Sequence, residues 1–142
     1  MTAKEKLRQY KFKRDKVEQA LEEYQRYKTR AEKMTAIMSE VPSRTNKTSD
    51  KVGDNAILMA DLSKEYEQRW IIAEQERLSL IDSINQIEEP YRTILFMRYV
   101  EDMSLEAIAA QLNYSYSIVA HMHGDALQMY ERGNENANSS TN

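Results

Sequence analysis

The chain has 142 residues, no cysteine, three glycines, two prolines and a formal net charge of −3. That length suits one domain, or one small domain carried on a helical extension, and the lack of cysteine excludes disulfides and cysteine-bound zinc. Apolar runs are too short for a membrane-spanning helix, and the opening MTAKEKLRQYKFKRDK lacks the apolar stretch of a signal peptide. A cytoplasmic protein with no membrane partner is therefore expected. Scarce Gly and Pro, with plentiful Glu, Lys, Arg, Leu, Ala and Gln, predict an all-α fold.

The first predicted helix covers about 3–39. Tyr10, Val17, Tyr24, Ala31 and Met38 recur every seven residues, as do Ala20, Tyr27, Met34 and Val41. Heptad spacing marks a helix that packs along its length against another. Seven basic residues (Lys4, Lys6, Arg8, Lys11, Lys13, Arg14 and Lys16) oppose only Glu5 and Asp15 at its start. A solvated helical face is the expectation for this run, and a grip on nucleic acid or an acidic partner is the alternative.

Residues 41–53 are polar, contain Pro42 and Gly53, and read as a loop. A second helix is predicted over about 54–86, with Met59, Tyr66, Ala73, Leu80 and Ile87 in one series and Ala56, Trp70 and Ile84 in the other. Two helices joined by a loop predict an antiparallel hairpin occupying 1–86. Each helix would span ~50 Å at ~1.5 Å per residue. Tyr10, Val17, Tyr24, Met59, Tyr66 and Trp70 are the candidate packing residues. A lone pair of helices leaves apolar surface wet at Leu58, Leu62, Ile71 and Ile72, so a homodimer is expected, unless the following module folds back to cover it.

The remaining chain divides into a module over 87–132 and a polar tail, 133–142, expected to be disordered. Pro90 suits the first turn of a helix running to Tyr99, with Glu88 and Glu89 at its positive end. Ile94, Leu95 and Met97 of that helix should be buried. Ser104 can cap a short helix bearing Leu105, Ile108, Ala109 and Leu112. Asn113 can enter the left-handed region and break it. Ser115 can cap the next helix, whose apolar face is Ile118, Val119, Met122, Ala126 and Leu127. This layout is a helix-turn-helix, in which the second helix enters the DNA major groove.

The string from Ile87 to Leu127 resembles region 4 of bacterial sigma factors, which reads promoter DNA. The resemblance rests on the proline-started helix, Arg98-Tyr99, the S-L-E-x-I-A-x-x-L run from Ser104, the serine opening the second helix, and Ala126-Leu127. The run NYSYSIV followed by HMHGDAL is also similar to small Gram-positive prophage regulators of the ArpU and RinA kind, in which a helical N-terminal half precedes such a module. The resemblance implies double-stranded DNA as a partner, with host RNA polymerase as a further one. It places Tyr116, Ser117, Ala120 and His121 toward bases, while Ser104 and Ser115, at helix N-termini, would meet phosphates.

One departure from that pattern bears on function. Sigma factors carry arginines and a lysine on the reading face, where this chain has Tyr116, Ser117, Ala120 and Asp125. Between Ile87 and Arg132 only three arginines oppose seven carboxylates. Phosphate neutralisation supplies most non-specific affinity for DNA. Weak binding by one module, reinforced by pairing, is thus expected of a phage-type transcriptional regulator. The alternative is a module binding polymerase or another protein without reading DNA, and a third reading is a phage packaging or assembly protein. His121 and His123, two apart on a helix, point to different sides. No nucleophile–base pattern or phosphate-cradling glycine loop occurs, so neither enzymatic activity, metal nor cofactor is expected.

Overall fold

A computed structural model describes residues 1–40 and 47–140, with the backbone alone described at 38–40 and 47–52. The fold is all-α. Helix α1 spans Ala3–Glu40, α2 Lys47–Ile84, α3 Tyr91–Leu95, α4 Leu105–Leu112 and α5 Tyr116–Ser139. A π-helical turn, Phe96–Val100, continues directly from α3. Helices α1 and α2 form an N-terminal antiparallel hairpin. Lys13 Nζ meets Glu76 Oε2 at 2.8 Å, while farther along α1 the Lys16 carbonyl accepts from Arg69 Nη1 at 3.3 Å.

Two boundaries differ from the expectation. Helix α2 begins at Lys47, so 47–53 is helical where a loop is predicted, and 41–46 lies outside the described residues. Gly53 sits within this helix with open space around it, so its backbone freedom is not used. Helix α5 runs to Ser139, through most of the stretch expected to be a disordered tail. No proline interrupts it, and Ser139 and Ser140 hydroxyls return hydrogen bonds to the Glu135 and Asn136 carbonyls. A helix already anchored at the buried Tyr130 adds further turns without a new nucleation cost.

Contacts divide the chain into two compact units whose limits fall inside both long helices. Unit 1 comprises Met1–Lys13 and Ala73–Asn142, and unit 2 comprises Arg14–Ile72. In unit 2, Ala20 is buried while Val17, Tyr24, Met59 and Tyr66 are half-buried. Trp70, expected in the packed seam, is 51% exposed. Arg69 takes the inward position one residue earlier, bonded to the Lys16 carbonyl and to Glu65. A shift of one residue turns a side chain about 100° around a helix at ~3.6 residues per turn, which carries Trp70 off the seam.

Unit 1 contains two apolar clusters. One joins Ile94, Met97, Ile108, Ala109 and Val119 and is the core of the helix-turn-helix. The other joins Leu95, Tyr99, Ala126 and Tyr130 to Leu80, Ile84 and Ile87 at the end of α2, and to Ala3 and Leu7 at the start of α1. The α3–π segment therefore contributes to both, with the fully buried Ile94 in one cluster and Leu95 in the other. Burying a Leu side chain contributes roughly 1.5–3 kcal/mol, so Leu7, with no exposed surface, fixes the start of α1 onto the module.

Candidate nucleic-acid interface

Three local signals shape the helix-turn-helix. Ser104 is the N-cap of α4, its hydroxyl accepting from Ala107 N at 3.1 Å. Asn113 ends α4 in the left-handed region (φ 59°, ψ 36°), and the Asn113 and Tyr114 amides both reach the Ala109 carbonyl. Ser115 then caps α5, accepting from Ile118 N at 3.3 Å. These caps satisfy amides that a helix start leaves without partners. The serine hydroxyls are thus engaged in the fold, although both residues remain exposed.

The first turns of α5 present a polar and apolar surface with little charge. Tyr116, Ser117 and His121 are exposed and Ala120 is half-buried. His121 Nε2 lies 3.5 Å from Asp125 Oδ2 one turn on, so the acid sits beside the most exposed ring of the helix. Ile118, expected on the inner face, is 49% exposed, beside Tyr114 at 45% and Tyr116 at 51%. Val119 holds the inner position instead, and Ile118 lies about 100° away from it. Gly124 has no atom within reach of an added Cβ, so internal packing does not require glycine there.

His123 is the residue that sequence reasoning missed. It is buried in the row Val119, His123, Ala126, Tyr130, and its Nε2 is 2.8 Å from the Tyr99 hydroxyl. The two rings also stack, with centroids 5.7 Å apart. Burial lowers the His123 pKa, and the positive charges of Arg98, Lys4 and Arg8 push it further down. Burial raises that of Tyr99. A neutral imidazole can accept from the phenol, so the pair is a satisfied internal hydrogen bond. The four-residue spacing from Val119 was the available signal.

Around this pair the chain gathers its cations. Leu7, Arg8, Lys11, Phe12, Arg98, Tyr99 and Asp102 line a cavity of about 240 Å³. The π-turn shapes one wall: the Glu101 amide bonds the Phe96 carbonyl, and Asp102 takes a left-handed φ of 57°. That bend lets Arg98 Nη1 donate to the Met103 carbonyl at 2.9 Å. Lys11 Nζ contacts Asp102 Oδ1 at 3.4 Å.

The comparison with known families agrees with this geometry. Residues 77–128 match the model of the family described as Sigma-70, region 4. These residues form a sigma-70 region 4-like helix-turn-helix domain. The match begins at Arg77, inside α2, which agrees with the packing of Leu80 and Ile84 into the cluster that holds Tyr99 and Ala126. It does not include Met1–Lys13, although Ala3 and Leu7 complete that same cluster. No curated protein and no solved structure matches the chain. Region 4-like domains are binding modules without catalytic chemistry. Among the described residues no group of His, Asp and Glu is arranged to hold a metal ion, and no helix is long and apolar enough to cross a membrane.

Proposed function

We propose that the chain is a DNA-binding transcriptional regulator of the phage or prophage kind, acting in the cytoplasm, with duplex DNA read by α5 of the region 4-like domain. The observation that carries this reading is the exposed N-terminal half of α5, capped by Ser115 and set at its angle by left-handed Asn113. Tyr116, Ser117 and His121 offer hydrogen-bonding groups to base edges, and Ala120 offers a methyl contact to thymine. Ser104 and Ser115 stand at helix N-termini, where backbone amides favour a phosphate. Host RNA polymerase is a further proposed partner, consistent with the sigma-like character of the domain.

The chain is further proposed to act as a homodimer. In unit 2, Ile57, Trp70, Ile71 and Ile72 of α2 are half or more exposed, and covering such a surface with a second copy removes it from water. Pairing also links two modules, which raises avidity without any new contact to DNA.

A second reading is favoured by the exposed Tyr114, Tyr116 and Ile118, accompanied by Glu101, Glu106 and Asp125. An aromatic and aliphatic patch among carboxylates suits a protein surface, such as polymerase, without direct reading of DNA. Titration of phage promoter fragments, beside a polymerase pull-down, separates the two. Under the first reading the double change Tyr116→Ala and His121→Ala abolishes promoter binding and leaves sedimentation as a dimer intact. Promoter binding that is indifferent to this change, with polymerase capture lost, selects the second.

A further inference from the structure

The first turns of α5 lack the cations that a duplex requires, yet the same compact unit gathers cations at the start of α1. Residues 73–142 carry four Lys or Arg against eleven Asp or Glu. Of those four, Arg77 is paired with Glu74 and Arg92 with Glu89. Met1–Lys13 carries five cations against one carboxylate, and contact packing makes it part of the same unit. Lys4, Arg8 and Lys11 follow one another at four and three residues, so they share a face of α1.

We infer that the cavity lined by Arg8, Lys11 and Arg98 is a phosphate site for the backbone of duplex DNA, supplied largely by the first turns of α1. A phosphate there presupposes duplex DNA on α5, the function proposed above. The cavity has three cations and one carboxylate on its wall, with Leu7, Phe12 and Tyr99 as the apolar remainder. At about 240 Å³ it falls short of the ~300–1,000 Å³ typical of small-molecule pockets, but it accommodates a single tetrahedral oxyanion. Arg98 is pre-positioned by the Met103 carbonyl, a partner that leaves its charge uncompensated. Arg8 and Lys4 have no carboxylate partner among the described residues, whereas Lys11 shares Asp102 and Lys13 shares Glu76. Tyr99 on the cavity wall is 2.8 Å from His123 Nε2, so the cavity adjoins the inner side of α5.

Alternative uses fit less well. A carboxylate from a partner protein would meet the same cations. The domain, however, is of a DNA-reading kind whose own surface is acidic, and a backbone phosphate is the anion a bound duplex delivers without further recognition. A purely structural role for the run would pair its charges with carboxylates, and Arg8 and Lys4 are not so paired.

The test uses the full chain and a random-sequence duplex, with binding followed by fluorescence anisotropy across a salt series. Each phosphate contact adds about 0.9 to the slope of log K against log salt. Arg8→Gln is expected to flatten the slope by about that amount and weaken binding roughly tenfold, while Arg8→Lys keeps most of the slope. Lys28→Gln in unit 2 removes the same charge from an exposed position and should leave both quantities unchanged. Lys11→Gln, at an exposed side chain on the same wall, repeats the measurement should Arg8→Gln lower the melting temperature. Equal effects of Arg8→Gln and Lys28→Gln overturn the phosphate site. If Tyr116→Ala with His121→Ala still abolishes promoter binding, the reading of α5 stands without it. A wild-type chain that binds no duplex at low salt overturns both.

Discussion

The two compact units are cut from the same pair of helices but are held together differently. In unit 1 the start of α1 and the end of α2 meet the π-turn and α5, and Leu7, Ile84, Leu95 and Ala126 lose all exposed surface. In unit 2 the same helices have only each other. Ala20 is its single buried apolar residue among those described, and Ile57, Trp70, Ile71 and Ile72 stay exposed. A two-helix layer has one buried stripe per helix, whereas a third and fourth element enclose a core on several sides. One continuous helix can therefore be domain core at one end and exposed apolar surface farther on.

Replacing Leu7 should break the comparison most severely. Leu7→Ala is expected to cost about 2–5 kcal/mol in chemical denaturation, and Leu21→Ala at a half-buried position in unit 2 should cost clearly less. Equal losses would mean that α1 is supported alike along its length. Next in size, Tyr99→Phe leaves the buried His123 Nε2 without its partner and should cost about 1–3 kcal/mol.

The same histidine gives unit 1 a dependence on pH. Its folded pKa lies below 6.5, so beneath that value the unfolded chain takes up a proton that the folded chain refuses. Stability should fall as pH drops below about 6.5, by up to about 1.4 kcal/mol per pH unit, until the folded pKa is reached. His123→Gln should remove this slope. The lowered carboxyls of Glu5 and Glu89 act in the same direction at lower pH, their contribution being lost only as pH falls below about 4.5.

The smallest expected effects compare two glycines. Gly53 in unit 2 and Gly124 in unit 1 are both helical, without positive φ and with open space for a Cβ. Each Gly→Ala change should stabilise the chain by about 0.5–1 kcal/mol in thermal melts. Should Gly124→Ala also weaken promoter binding while Gly53→Ala does not, glycine at 124 serves close approach of DNA to α5.

Much of the region 4-like domain was legible in the sequence because its signals are local. The serine caps at Ser104 and Ser115 and the left-handed Asn113 each act within four residues, and the structure forms all three. The capping box at the start of α1 was equally local but unread: the Thr2 amide bonds Glu5 and the Glu5 amide bonds Thr2. Heptad spacing announced the hairpin but put Trp70 in the second α2 series, where the structure turns Arg69 toward α1 instead. Ile118 and His123 were misjudged for a related reason, since their faces depend on the angle at which α5 crosses its neighbours.

By itself, then, the sequence determined the all-helical class, the serine caps and left-handed turn of the helix-turn-helix, and the sigma-like order of its helices. Tertiary structure alone decided where the positive charge goes. In the sequence, Arg8 and Lys11 stand about ninety positions from Arg98, in a run that reads as solvated surface. Burial of Ala3 and Leu7 against Tyr99 and Ala126 brings them to one cavity. Charge acts through space, and only packing sets the distances between residues so far apart in the chain.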